Sequence, residues 1–180
     1  LIEWANQMNI QNELLDRSEA TSMFTPPWTT VHVGTIEGGT ANNITAKDCH
    51  FVMGFRVIPN ERATDWKQAY ESKVREVEAA MKKINPDSFI MLDSAHDVPG
   101  LRPEDNGAAE ALVRTLTGDN GQHVVSYGTE AGQLQAEWYS SSICGHGDIA
   151  QANQKNECIT LEQFSAGETF MDQLIENLAT

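Results

Sequence analysis

Basic side chains are scarce in this chain. Twelve Lys and Arg stand against 26 Asp and Glu, a formal net charge of −14 over 180 residues. So acidic a balance leaves little surface to neutralise phosphate, which argues against a nucleic-acid binder and against an anionic membrane as partner. Cysteine is sparse too. Cys49, Cys144 and Cys158 are odd in number, widely spaced and without a CxxC pair, so they read as reduced, partly buried thiols. No apolar run approaches the roughly 20 residues that cross a bilayer, and no signal peptide shows. A cytoplasmic protein is expected. There is no GxSxG, P-loop, GxGxxG or HExxH, and no internal repeat or low-complexity segment.

What is present is apolar: 40% of the residues are hydrophobic, with four Trp and six Phe. That suffices for one ordinary domain or two small ones. The first residue is Leu1, not Met, and the helical period is already running there. The expectation is that something upstream is missing.

"LIEWANQMNIQNELLDR", 1–17, puts Leu1, Trp4, Ala5, Met8 and Leu15 near one helical face. After the breaker "FTPPWTT", residues 29–36 alternate as a strand, and "EGGTANN" makes a turn. Residues 48–58 form the clearest strand. Cys49, Phe51, Met53, Phe55 and Val57 share one face, and His50, Val52, Gly54 and Arg56 share the other. "PNERATD" enters a helix over 64–84, with Trp66, Tyr70, Val74, Val77, Met81 and Ile84 in one stripe. "SFIML", 88–92, reads as a short buried strand. This order matches a ferredoxin-like sandwich whose first strand is removed. From about residue 100 short helices and strands alternate: a helix over 106–117, a strand in "QHVVSYG", a helix from Thr129, a strand in "SSSIC". A last helix is opened by the capping box of Thr160 and Gln163.

Arg56, in "GFRVIPN", is plainly read as a solvated charge. The sharper reading is a carboxylate clamp, because a guanidinium presents a planar fork of donors. "GGTANNIT", 38–45, is at least a hairpin turn. Asp93, His96 and Asp97 crowd into "LDSAHDVPG", but their spacing fits no ligand pattern and the stretch reads as a crossover loop. His146 in "CGHG" reads as a hydrogen-bonded loop histidine, and Glu130 as a carboxylate complementing a helix N-terminus.

Three segments, in order, carry a resemblance to one family. "VGTIEGGTANNITAKDCHFVMGFRVIPNE" resembles the lid domain of the dinuclear-zinc acetylornithine deacetylase, desuccinylase and aminoacylase family, with its G-G-x-x-x-N turn and an arginine ending the next strand. "VVSYGTEAGQLQ" resembles a strand and helix from the closing half of its catalytic domain. "ICGHGDIAQANQKNECITLEQF" resembles its last metal-site loop. The words "GTEA" and "GDIAQA" fit the acetylornithine deacetylase branch.

The resemblance implies a fold of mixed α+β and α/β type. Residues 1–100 would be a lid, or dimerisation, domain, a ferredoxin-like sandwich short of its first strand. Residues 101–180 would be the C-terminal part of a zinc-peptidase-like α/β catalytic domain. It implies a homo-oligomer and a zinc-dependent hydrolysis of an N-acyl amino acid, such as N-acetylornithine in arginine biosynthesis. Two zinc ions would activate water, with a glutamate as general base. Arg56 matches the arginine that holds the substrate carboxylate, and Asn43 the lid asparagine that faces the substrate. Gly145 and Gly147 match the glycine loop beside that carboxylate, and Asn153 stands at the position of a histidine zinc ligand.

Several departures accompany the match. The family's H-x-D segment, bridging aspartate and Glu-Glu pair have no counterpart here, so no catalytic residue is expected in this chain and the chain alone is expected to be inactive. Asn153 offers a neutral amide oxygen where zinc favours nitrogen and sulfur. His146 replaces a proline and is the candidate to compensate. Two other readings stand beside the enzyme: a non-catalytic homologue whose lid mediates dimerisation, and a stand-alone carboxylate-binding module built on Arg56.

Overall fold

The computed structural model describes residues 1–15, 22–94 and 97–179. They form two compact units, one of residues 1–100 with 123–128, the other of residues 101–122 with 129–180.

The first unit is built on an antiparallel hairpin of β1 (Thr30–Gly38) and β2 (Cys49–Arg56), in register from Thr30 opposite Arg56 to Gly38 opposite Cys49. A bulge between Val33 and Thr35 puts Gly34 into β1 as an extra residue. The apolar face of the hairpin carries the Val31–Phe55, Val33–Met53 and Ile36–Phe51 pairs. Helix α1 (Ile2–Leu14) and helix α2 (Ala63–Ile84) cover that face through an aromatic cluster. The Phe55 ring lies 6.4 Å from Trp4, 5.7 Å from Tyr70 and 6.4 Å from Trp66. Ala5, Val31 and Val74 are the buried apolar residues among those described. The stripe read on α2 is real only in part: Trp66, Tyr70, Val74 and Val77 turn inward, while Met81 and Ile84 stay exposed. Burial pushes the Tyr70 hydroxyl up from its ordinary pKa.

Polar side chains complete this core. The Asn9 carboxamide donates to the Val31 carbonyl at 2.6 Å and accepts from the Val31 N–H at 2.8 Å. Asn12, also buried, donates to the Thr29 carbonyl at 2.7 Å. The fully buried Thr29 hydroxyl donates to Glu61 at 2.7 Å and accepts from the Ile58 N–H at 3.1 Å. The Trp66 indole donates to the same Glu61 oxygen at 2.6 Å. Each buried polar group is thereby satisfied, as burial requires.

The second unit contains α3 (Ala108–Thr117), α4 (Ala131–Ala136) and α5 (Leu161–Leu178). Helix α3 stops at Gly118, whose φ of 71° supplies the left-handed cap that glycine adopts freely. Helix α4 ends in a Schellman motif: the Trp138 N–H bonds to the Gln135 carbonyl and the Tyr139 N–H to the Leu134 carbonyl. The left-handed residue of that motif is Trp138, at φ 68° and 95% exposed. The expected capping box of α5 is present, with the Thr160 hydroxyl accepting from the Gln163 N–H. The Glu104 carboxylate ties the unit together. It accepts from the Ser140 hydroxyl at 2.6 Å, the Gln135 amide at 3.0 Å and the Ser141 N–H at 3.3 Å. Chiefly through Ser140, these bonds hold its pKa below the usual carboxylate value.

Three expected strands are not strands. A strand needs a ladder partner for its backbone groups, and here side chains take them instead. In 88–92 the Ile90 N–H goes to Glu78 of α2. In "QHVVSYG" the Ser126 carbonyl accepts from Arg56. In "SSSIC" the Ser141 N–H goes to Glu104. The chain is therefore a mixed α and β structure with a small two-stranded antiparallel sheet among its described residues. The three cysteines are free, and all are exposed rather than partly buried. No described helix is long and apolar enough to cross a membrane.

Candidate substrate-binding site

Because side chains alternate along a strand, the hairpin face opposite the aromatic cluster carries the Thr30–Arg56, His32–Gly54, Thr35–Val52 and Glu37–His50 pairs. Arg56 ends β2 on this open face and is exposed. One guanidinium nitrogen donates to the Ser126 carbonyl at 2.5 Å. That bond fixes where the fork points and leaves its other N–H groups for a ligand.

His32 is the residue of this face that sequence reasoning missed. A Cβ added to Gly54 would lie 2.6 Å from its Cε1 and 3.1 Å from its Nδ1, so the ring rests directly on the backbone of Gly54. On the other side, Gly34 leaves ordinary contact with Nε2 at 3.7 Å. The usable signal was the pairing of a histidine with a glycine two residues before the arginine, but that pairing depends on register across the hairpin.

Asn43 sits in the turn joining β1 to β2 and is exposed. That turn lies beyond the Gly38–Cys49 pair, whereas Arg56 closes the ladder at the other end. Roughly 20 Å of strand separates them, so one chain does not bring Arg56 and Asn43 to the same small group.

Gly145, Gly147 and Asn153 belong to the second unit. Gly147 has φ 109° and Gly145 has open space around it. Asn153 is exposed, adopts φ 60°, and donates its backbone N–H to Glu157 at 2.9 Å. The adjoining Ile149–Gln151 turn is capped by Asp148, which accepts from the Ala150 N–H. His146, the candidate to compensate for Asn153, has no cluster of metal-ligating side chains around it among the described residues. Its ring stands edge-on to Phe164 at 6.5 Å and fills the space a Cβ on Gly167 would need, so it packs against α5.

For the zinc that the resemblance implies, the donor set does not fit. No three His, Cys, Asp or Glu side chains come together among the described residues, and Asn153 brings only a neutral carboxamide. Glu130 is the exposed N-cap of α4 but makes no cap hydrogen bond; the Thr129 hydroxyl accepts from the Ala131 N–H instead. Asp93 and Asp97 are exposed, and His96 lies outside the described residues.

Comparison with known proteins agrees with the first unit's architecture. Residues 4–82 match the family described as peptidase dimerisation domain. The chain is similar to acetylornithine deacetylase of Myxococcus xanthus, 29% identical over 153 residues, which is 81% of this chain and 37% of the relative. It is 30% identical over 155 residues to the acetylornithine deacetylase of Proteus mirabilis, covering 86% of this chain and 38% of that protein. With that of Edwardsiella ictaluri it shares 24% over 171 residues, 94% of this chain and 43% of the relative. The chain thus spans about two fifths of the length of the curated relatives it matches.

Proposed function

We propose, from a chain that belongs to the acetylornithine deacetylase-like peptidase family and carries its dimerisation domain at residues 4–82, that it forms the substrate-carboxylate-holding part of a zinc-dependent N-acyl amino acid deacylase. Residues 1–100 act as the lid, a ferredoxin-like sandwich reduced among its described residues to a two-stranded hairpin with two helices, and residues 101–180 as the closing segment of the catalytic domain. The substrate class is an N-acyl amino acid of the N-acetylornithine type, met in the cytoplasm. The chain works as a homo-oligomer.

The observation that carries this reading is Arg56: an exposed guanidinium on the open hairpin face, oriented by the Ser126 carbonyl. A guanidinium held in that way matches the geometry of a carboxylate. In the whole protein Gly145 and Gly147 would serve as the family's glycine loop and Asn43 as its lid amide. The described residues do not compose a zinc site, and no chemical step is assigned to them; alone, the chain is expected to be inactive.

The test is binding. N-acetyl-L-ornithine is titrated into the 180-residue chain and followed by NMR, beside N-acetyl-L-ornithinamide, which lacks the carboxylate. Binding of the acid that is lost in the amide and in Arg56→Ala is the expected result. Equal binding of acid and amide, or an Arg56→Ala protein that binds as well as the parent, overturns the reading.

A second reading has its own observation. The Asn153 carboxamide stands where a ligand is expected, and the local backbone is satisfied by Glu157. That favours a non-catalytic homologue whose role is dimerisation. Sedimentation showing a dimer that binds no acyl amino acid would decide for it.

A further inference from the structure

We infer that His32 is a second binding residue for the carboxylate held by Arg56, so that the open face of the hairpin presents a two-donor anion site rather than a lone arginine. The inference rests on the clamp reading of Arg56 and adds a residue to it.

Placement comes first. His32 pairs with Gly54, and Thr30 with Arg56, so His32, Gly54 and Arg56 share one face in adjacent rows. His32 and Arg56 are thus diagonal neighbours across the hairpin, about 7–8 Å apart, within reach of long side chains. The ring does not swing freely above this surface. It lies on Gly54, with Cε1 where a Cβ would come within 2.6 Å, and also contacts the space over Gly34. Any larger residue at position 54 would push the ring away. No positive φ accounts for glycine there, so what this position requires is the room for the ring.

The chemistry follows. An imidazole N–H donates to an oxygen acceptor in either protonation state, and a carboxylate has two oxygens with about four lone-pair sites. Arg56 has committed one nitrogen to Ser126 and directs the rest of its fork from a fixed point. One carboxylate can therefore take a guanidinium N–H on one oxygen and the His32 N–H on the other. In a chain with 26 acidic residues against 12 basic, two donors side by side on an exposed face are a local exception. Glu37, the carboxylate on this face, is paired with His50 beyond the bulge and not with Arg56.

The experiment is the N-acetyl-L-ornithine titration, run on the parent, Arg56→Ala, His32→Ala and Gly54→Ala, with the His32 imidazole resonances observed directly. Gly54→Ala keeps the histidine and moves only its ring, which protects the test should His32→Ala fold poorly. A charge-assisted hydrogen bond predicts about tenfold weaker binding in His32→Ala and a smaller loss in Gly54→Ala, with the parent's imidazole signals shifting on saturation. Unchanged affinity in both variants, with Arg56→Ala still losing binding, overturns the role of His32 and leaves the clamp intact. Unchanged affinity in Arg56→Ala, or no carboxylate-dependent binding by the parent, removes the clamp and this inference with it.

Discussion

Asn9 holds Val31 as a neighbouring strand would. Both ends of its carboxamide meet the Val31 backbone, donor to carbonyl at 2.6 Å and acceptor to N–H at 2.8 Å. In an antiparallel ladder alternate residues turn their backbone groups away from the partner strand. At Val31, which is 1% exposed, those groups meet a helix side chain instead of water. Replacing Asn9 by Ala leaves a buried N–H and a buried carbonyl unpaired, and a loss of about 2 kcal/mol is expected. Urea unfolding measures it. Asn9→Asp should cost a comparable amount, since it keeps the acceptor but loses the donor. A change below about 0.5 kcal/mol in both would show that the clasp contributes nothing.

Trp138 occupies the left-handed position of a Schellman motif that glycine fills most easily. At 95% exposure the indole has little burial to lose. Trp138→Gly is therefore expected to stabilise the chain by about 1 kcal/mol. Trp138→Ala keeps a Cβ and should gain much less. A higher urea midpoint for the glycine variant than for the alanine variant is the result to look for.

Glu104 gives the second unit an acid sensitivity of known sign. Its pKa is lowered, first by the Ser140 hydroxyl and then by the Gln135 amide. The unfolded state then binds more protons than the folded one between the two pKa values. The stability from Glu104 is complete above the unfolded glutamate value and is lost as pH falls through the lower folded value. Glu104→Gln should flatten that acid limb while leaving the remaining pH dependence in place, as read by circular dichroism of unfolding at stepped pH.

Asn153→His should not by itself create a zinc site. The new imidazole would stand without a convergent pair of His, Cys, Asp or Glu partners among the described residues. Elemental mass spectrometry after desalting is expected to find well under one zinc per chain. A stoichiometric ion would mean that residues the structure keeps apart come together around the metal.

The parts of this fold legible in the sequence were those set by local period or local chemistry. The alternation of β2 put Phe55 inside and Arg56 outside, the α2 spacing turned Trp66, Tyr70 and Val74 inward, and Thr160 with Gln163 marked the start of α5. Asn9 and Asn12 were not legible, because asparagine near an apolar helical stripe looks solvated until a strand edge is placed against it. The strand expected at 88–92 failed for a related reason: its apolar run is real, but a ladder needs a second strand, and the Ile90 N–H went to Glu78. In the candidate site, Arg56 could be read from one strand, whereas His32 needed the register between two. Trp138 carried no warning at all, since backbone sign is set by the cap geometry and not by the residue that happens to fill it.

The three thiols have a practical consequence. Cys49, Cys144 and Cys158 all face solvent, and an odd number of thiols cannot be consumed pairwise inside one molecule. Exposure to an oxidant such as dissolved oxygen will leave at least one sulfur per chain able to join a neighbour by exchange. The apparent mass of this protein will then report the redox poise of the solution as much as any non-covalent affinity between chains, and the two separate cleanly on adding a reducing agent: covalent pairs dissolve, and a non-covalent dimer persists.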